Sequence, residues 1–425
     1  MPIMSETRFE PLTVETLGAR LATIGALTER IGPDHAAWSV REVGDGNLNL
    51  VFIVEGAKGG AIVKQALPYV RLVGESWPLP LKRSFFEYHA LTRQAERDPG
   101  RVPEIYHFDE AQALIVMEYL SPHIILRRAL IEGQRLPRIG RDLGLFAART
   151  LFRGSDFSME APARKKDLAL FAGNIELCDI TENLVFTDPY FAAELNRHTS
   201  PQLDDLVAEL RADRDLKVEA QHLKRLFTSA AETLLHGDLH TGSVMVTMED
   251  TRVIDPEFAV YGPMAFDVGM LLANFWMAYF SQAGHEEGGS RDAMRAYLLD
   301  VVVEIWRVFR EEFTRLWETE RAGILYSKAL YEDQGDPLGA RQALDHILAG
   351  IWRDMLGFAG VEMHRRILGL AHNAEFETIE DSDLRASCER PALLLGRHLV
   401  VNRDRIAGLD EIHALARRLD GEARP

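Results

Sequence analysis

Of 425 residues, 65 are Asp or Glu and 48 are Lys or Arg, a formal charge of 48 − 65 = −17. With 47 % hydrophobic and 27 % charged residues the balance is that of a globular protein, which excludes disorder and collagen-like fibres. A net negative field repels phosphate backbones, so nucleic acid and anionic membranes are excluded as main partners, and any phosphate ligand needs a local cluster of cations.

The length suits two or three domains of roughly 100–200 residues each. The stretch Met1 to Glu10 is acidic and lacks an apolar core, which argues against a signal peptide. Val40 to Val43 and Leu50 to Val54 read as strands around the turn Gly44-Asp45-Gly46-Asn47. Lys58-Gly59-Gly60 is a second turn, followed by the strand Ala61 to Gln65. After a loop around Trp77-Pro78-Leu79-Pro80, the spacing of Phe85, Tyr88 and Leu91 predicts a helix over 84–95. Ala113 to Met117 has the length of a buried strand and runs into Glu118-Tyr119-Leu120. Beyond Ser121-Pro122, apolar positions recur at helical period over 138–152, 203–230, 291–316, 340–372 and 390–419. Short strands interrupt at Thr233 to Gly237, Val244 to Thr247 and Arg252 to Asp255. The expected architecture is α+β and bilobal: an N-terminal β-rich lobe over 1–120 and a mainly helical lobe over 121–425, with an insert over 153–230 that has no evident role. Phe266 to Phe280, the longest apolar stretch, contains Asp267 and Asn274 and is too short to span a bilayer. Cys178 and Cys388 form no CxxC pair, so a disulfide framework or thiolate metal site is not expected. Cys178 reads as a small buried residue rather than a nucleophile. The expectation is a soluble, cytoplasmic protein.

The chemistry concentrates in two acidic motifs. His236-Gly237-Asp238-Leu239-His240 lies between short strands, and Asp255-Pro256-Glu257 follows the apolar pair Val253-Ile254. Either acid alone could cap a turn. Together they suit phosphoryl transfer, in which one carboxylate accepts the hydroxyl proton and others hold Mg²⁺ against phosphates. Magnesium takes hard oxygen ligands, which Asp255 and Glu257 supply. Gly44 to Asn49 could bring backbone N–H groups to phosphates, although Asp-Gly is also an ordinary hairpin turn. Lys64 sits inside an apolar strand, where a cation facing inward needs a partner. Glu87 is available on the next helix, while Ser84-Phe85-Phe86-Glu87 also fits a capping box.

In this order the pieces resemble the protein-kinase-like fold, in its aminoglycoside phosphotransferase and choline kinase branch, where HGDLH replaces the HRD form. Asp45 to Phe52, Lys64 to Val70, Val73 to Leu79, Glu176 to Glu182, His236 to Ser243, Asp255 to Ala259, Gly357 to Gly360 and Arg365 to His372 are similar to the 5-methylthioribose kinase family. The resemblance implies transfer of the γ-phosphoryl of ATP to the anomeric 1-hydroxyl of 5-methylthioribose, a step of methionine salvage, by a homodimer. It implies that Asp238 is the catalytic base and sugar-hydroxyl ligand. Asp255 and Glu257, joined by Pro256, would hold Mg²⁺ and the ATP phosphates. Asn49 and Lys64 would contact ATP, and the backbone of Glu118, Tyr119 and Leu120 would receive the adenine. Arg365 and Arg366 correspond to twin arginines at the sugar, and Trp77 to a loop that closes over it. Ser243 stands where the wider kinase pattern has Asn, and Asp-Pro-Glu replaces Asp-Phe-Gly, which leaves the number of magnesium ions open. The competing readings are a kinase of the same fold acting on an aminoglycoside, choline or homoserine, whose positive charge the twin arginines would repel, and a non-catalytic nucleotide-binding scaffold.

Overall fold

The computed structural model describes residues 9–43, 48–70, 74–286 and 289–423. Two units make up the chain. One comprises Met1–His123, Asn174–Leu177 and Arg252–Ala259, and the other Ile124–Gly173, Cys178–Thr251 and Val260–Pro425.

The first unit opens with two short helices, α1 (Val14–Leu21) and α2 (Gly25–Ile31), in a stretch where the sequence predicts no element. Each is about two turns long, too short for a periodicity window to register. Thr13 and Thr16 close a capping box at the start of α1. The strands are β1 (Ser39–Glu42), β2 (Asn49–Gly56) and β3 (Gly59–Ala66), then β4 (Tyr69–Val70) and β5 (Gly74–Pro78). Helix α3 (Arg83–Arg97) precedes β6 (Ile105–Asp109) and β7 (Leu114–Glu118). Antiparallel pairing gives a five-stranded sheet in the order β1-β2-β3-β7-β6. The expected glycine-rich turn over 44–47 lies outside the described residues. The stretch around Trp77 is not a loop: β5 pairs with β4 as a separate two-stranded ribbon.

Side chains alternate across this sheet. Phe52, Val54, Ala61, Val63, Leu114 and Val116 are buried against Leu17, Leu21, Leu27 and Ile31 of α1 and α2. Each large side chain in that layer contributes about 1.5–3 kcal/mol on burial. Gln65, also fully buried, ties the entering chain down by accepting from the Leu12 N–H (2.7 Å) and donating to the Glu10 carbonyl (3.0 Å). Lys64, one residue on from Val63, points the opposite way, where α3 supplies its partner.

The second unit is helical apart from short strands. Its elements begin with β8 (Ile124–Ile125), α4 (Leu126–Ile131), α5 (Ile139–Arg153) and α6 (Ala161–Phe171). Helix α7 (Ile175–Leu184) starts in the Asn174–Leu177 piece of the first unit. Then follow α8 (Asp204–Ala212), α9 (Arg214–Ser229), β9 (Thr233–Leu234), β10 (Val244–Val246) and β12 (Tyr261–Gly262), while β11 (Thr251–Val253) runs into the Arg252–Ala259 piece of the first unit. The rest is α10 (Ala265–Ser281), α11 (Asp292–Glu320), α12 (Pro337–Leu368), α13 (Ala374–Glu377), α14 (Ser382–Asn402) and α15 (Leu409–Ala423). The insert over 153–230 is thus mostly helical. The single pattern over 203–230 is two helices, because Asp213 accepts from the Leu216 N–H (3.0 Å) and caps a new start.

Every residue of α10 is buried. A helix apolar all round belongs in a core or a membrane, and α10 packs against α11, α12 and α14. Among the described residues no helix is long and apolar enough to cross a membrane. Glycines let these helices approach closely. A Cβ on Gly360 of α12 would overlap the Gly396 carbonyl oxygen of α14, and one on Gly269 of α10 would strike the Met355 carbonyl oxygen of α12. The Gly357 to Gly360 motif is therefore explained by packing.

Candidate active site

In the first unit, Lys64 on β3 is buried, and its ammonium donates to Glu87 of α3 (2.8 Å) and to Asp255. Glu87 is therefore the lysine's partner, and the capping-box alternative falls: α3 starts at Arg83, and its Lys82 cap makes no side-chain bond. Glu257, also buried, accepts from the Asn49 amide (3.1 Å) and lies 3.4 Å from the Arg83 guanidinium. Arg83, fully buried, donates in turn to the Asn49 side chain (2.9 Å) and to the Leu48 and Leu67 carbonyls. Asp255 follows β11 with φ of 68°, in the left-handed region that few non-glycine residues adopt. Its side chain is 45 % exposed, and Pro256 beside it is buried.

Burial disfavours the charge on Lys64, but Asp255, Glu87 and Glu257 overcome it and hold the ammonium above the ordinary lysine range. Burial, with Asp255 and Glu257 nearby, pushes the Glu87 carboxyl up to about 8 against the pull of Lys64. Glu257 is raised for the same reason, burial first. One carboxylate oxygen from each of Glu87, Asp255 and Glu257 lies within 4.8 Å of the others. Two cations, Lys64 and Arg83, face these three acids. A crowded set of hard oxygen donors fits Mg²⁺. Lys64 bonds both Glu87 and Asp255, while Glu257 is held by Asn49 and Arg83.

Glu118 closes β7, its N–H bonded to the Glu104 carbonyl (2.8 Å) and its carboxylate 3.3 Å from Arg252. The Tyr119 hydroxyl accepts from Arg41 (3.3 Å), and Leu120 is buried. Trp77 lies half-buried on β5.

In the second unit, Asp238 is the centre of a separate cluster. Its Oδ1 accepts from Arg365 (3.1 Å) and Arg366 (3.0 Å) of α12, and its Oδ2 lies 3.2 Å from His240 Nε2. The Gly242 N–H donates to His240 Nδ1 (2.9 Å), so the imidazole proton sits on Nε2 and points at Asp238. Burial lowers the His240 pKa to about 4, so the ring is neutral at pH 7. Burial opposes ionisation of Asp238, yet His240, Arg365 and Arg366 hold its carboxyl well below the usual range. With His240 neutral, the charge that does so is the arginines'. Glu362, one turn back on α12, accepts from Arg366 (2.6 Å) and Arg365 (3.1 Å). The backbone of the motif is clamped by Asp267 of α10, which accepts from the N–H groups of His236 (2.6 Å) and Gly237 (3.0 Å).

The structure thus gathers Lys64, Asn49, Asp255 and Glu257 in one cluster and Asp238, Arg365 and Arg366 in the other. It corrects one expectation: the twin arginines are matched by Asp238 and Glu362, so they carry no spare positive charge to repel a cationic acceptor. Sequence reading missed Arg83, Asn174, His240, Asp267 and Glu362 as members. Glu362 had a signal, because acids three and four residues before arginines pair on a helix. Asn174 had none. Cys178 is a free thiol that burial pushes up to about 12, which leaves it unreactive.

Residues 39–297 match the phosphotransferase enzyme family. The class is thus a phosphotransferase of kinase-like fold, with the N-terminal sheet and helical remainder described above. The chain is 45 % identical to the methylthioribose kinase of Escherichia coli O45:K1 over 95 % of this chain and 96 % of that one. Methylthioribose kinase 1 of Oryza sativa subsp. japonica is 42 % identical over 95 % and 94 %. The methylthioribose kinase of Geobacillus thermodenitrificans is 42 % identical over 98 % of both chains. The chain belongs to the methylthioribose kinase family.

Proposed function

We propose that this protein transfers the γ-phosphoryl of ATP to the anomeric 1-hydroxyl of 5-methylthioribose, giving 5-methylthioribose 1-phosphate and ADP in methionine salvage, as a cytoplasmic homodimer. Lys64 and Asn49 bind ATP phosphates. Asp255 and Glu257 hold Mg²⁺, which when bound neutralises charge on the phosphates. The backbone of Glu118 to Leu120 takes the adenine, and Trp77 lies against the sugar. The observation that carries this reading is the Asp238 cluster. A carboxylate held ionised by two guanidiniums on Oδ1 keeps an acceptor site on Oδ2, beside His240, for a sugar hydroxyl and receives its proton only as the oxygen bonds to phosphorus. Its low basicity makes it chiefly an orienting acceptor. Because Glu362 cancels the arginines' charge, the preference for a neutral thiosugar over an amine is supported by family membership and not by repulsion.

The test is ATP turnover with 5-methylthioribose, glucosamine and choline. The thiosugar is expected to be the preferred acceptor, and strong activity on an amine with none on the thiosugar would reverse the assignment.

A further inference from the structure

We propose that Asn174 is a positioning residue for the metal-binding loop, fixing the turn through Asp255 and Glu257 so that both carboxylates serve one cation. The proposal rests on the reading of these two acids as magnesium ligands. Asn174 precedes α7 in the insert for which the sequence offered no role, yet residues Asn174–Leu177 are part of the first unit. The residue is 2 % exposed. Its amide donates one N–H to the Glu257 carbonyl (2.9 Å) and the other to the Ala259 carbonyl (3.0 Å). An amide nitrogen has two protons, and both are spent on this loop.

The loop needs such a support. Asp255 adopts φ of 68°, a conformation that costs about 1–3 kcal/mol and persists only where the surroundings over-determine it. The Ala259 N–H bonds the Pro256 carbonyl (3.1 Å), closing the turn from within. Asn49 and Arg83 hold the Glu257 carboxylate from the side-chain end, while Asn174 holds the backbone from the other. A space-filling role would be met by leucine, which has nearly the same shape and no donor. Two directed N–H groups, on the Glu257 and Ala259 carbonyls of the ligand loop, are the feature leucine lacks.

The test uses the full chain with a non-hydrolysable ATP analogue and follows Mn²⁺ binding by the electron paramagnetic resonance signal of the free ion. In Asn174→Leu the Mn²⁺ dissociation constant is expected to rise about 10–100-fold, the usual effect of removing a group that orients a metal ligand, while affinity for the metal-free analogue is retained. Should Asn174→Leu not fold, as judged by circular dichroism, Asn174→Asp carries the same expectation, since it keeps the shape and removes both donors. Unchanged Mn²⁺ affinity in a folded variant overturns the proposal, and so does an equal loss of metal-free nucleotide binding, which marks a general packing role. No sugar enters the measurement. Failure of the wild-type protein to phosphorylate the thiosugar would therefore sink the functional reading and leave this one standing.

Discussion

Asp238 is a weak base by construction, because His240, Arg365 and Arg366 stabilise its ionised form. Asp238→Ala is expected to lower kcat by about 10²–10⁴-fold, measured as steady-state ATP turnover, with nucleotide affinity retained. His240 contributes a pH dependence of stability. Its folded pKa of about 4 lies below the 6.5 of a free imidazole, so between those values the unfolded chain binds more protons and stability rises with pH. Denaturant titrations of His240→Gln from pH 4 to pH 7 are expected to show a flatter rise than wild type. Lys64 and Glu87 form a buried pair. Lys64→Met is expected to cost about 3–5 kcal/mol by stranding a carboxylate. Adding Glu87→Gln should recover much of that stability but not ATP binding, and chemical denaturation with nucleotide titration separates the two. At this scale the sequence was most readable where chemistry is local: a lysine inside an apolar strand, and an acid after His-Gly. Asn174 and Arg83 were opaque because their partners lie far along the chain, 83 residues away for Asn174 and Glu257.

Among elements, β2, β3 and β7 were legible as short apolar runs bounded by turns, and α5, α11 and α12 from long helical periodicity. The short α1 and α2 were not, since two turns offer too few positions, and α10 was not, since a helix buried on all sides has no polar face to mark its period. The breaks between α8 and α9 and between α14 and α15 depend on caps and loops that leave the apolar pattern running through. The close contact of α12 with α14 rests on Gly360. Gly360→Ala is expected to destabilise the protein by about 1–3 kcal/mol through overpacking, read as a lower denaturant midpoint with an unchanged m-value. The Arg365 and Arg366 cluster sits one turn further along α12, so a fall in affinity for the thiosugar should accompany it.

For the molecule as a whole, a net charge of −17 is combined with two local clusters in which buried cations and carboxylates pair with one another. Ligands that bind only the folded chain raise its melting temperature by mass action, by about 2.7 kcal/mol of stability at one hundred times the dissociation constant. Mg·ATP and 5-methylthioribose should each do so, and their joint effect should exceed either alone, whereas a nucleotide-binding scaffold would gain nothing from the sugar. The fold class was legible because the order of motifs is preserved along nearly the whole chain, while the charge balance around the twin arginines emerged only with Glu362 in view. The most direct measurement is ³¹P nuclear magnetic resonance of the product formed from ATP and 5-methylthioribose. The account predicts a phosphate ester coupled to the anomeric proton, formed by wild type and lost in Asp238→Ala. A phosphate on another hydroxyl, or the same product from Asp238→Ala at the wild-type rate, would contradict it.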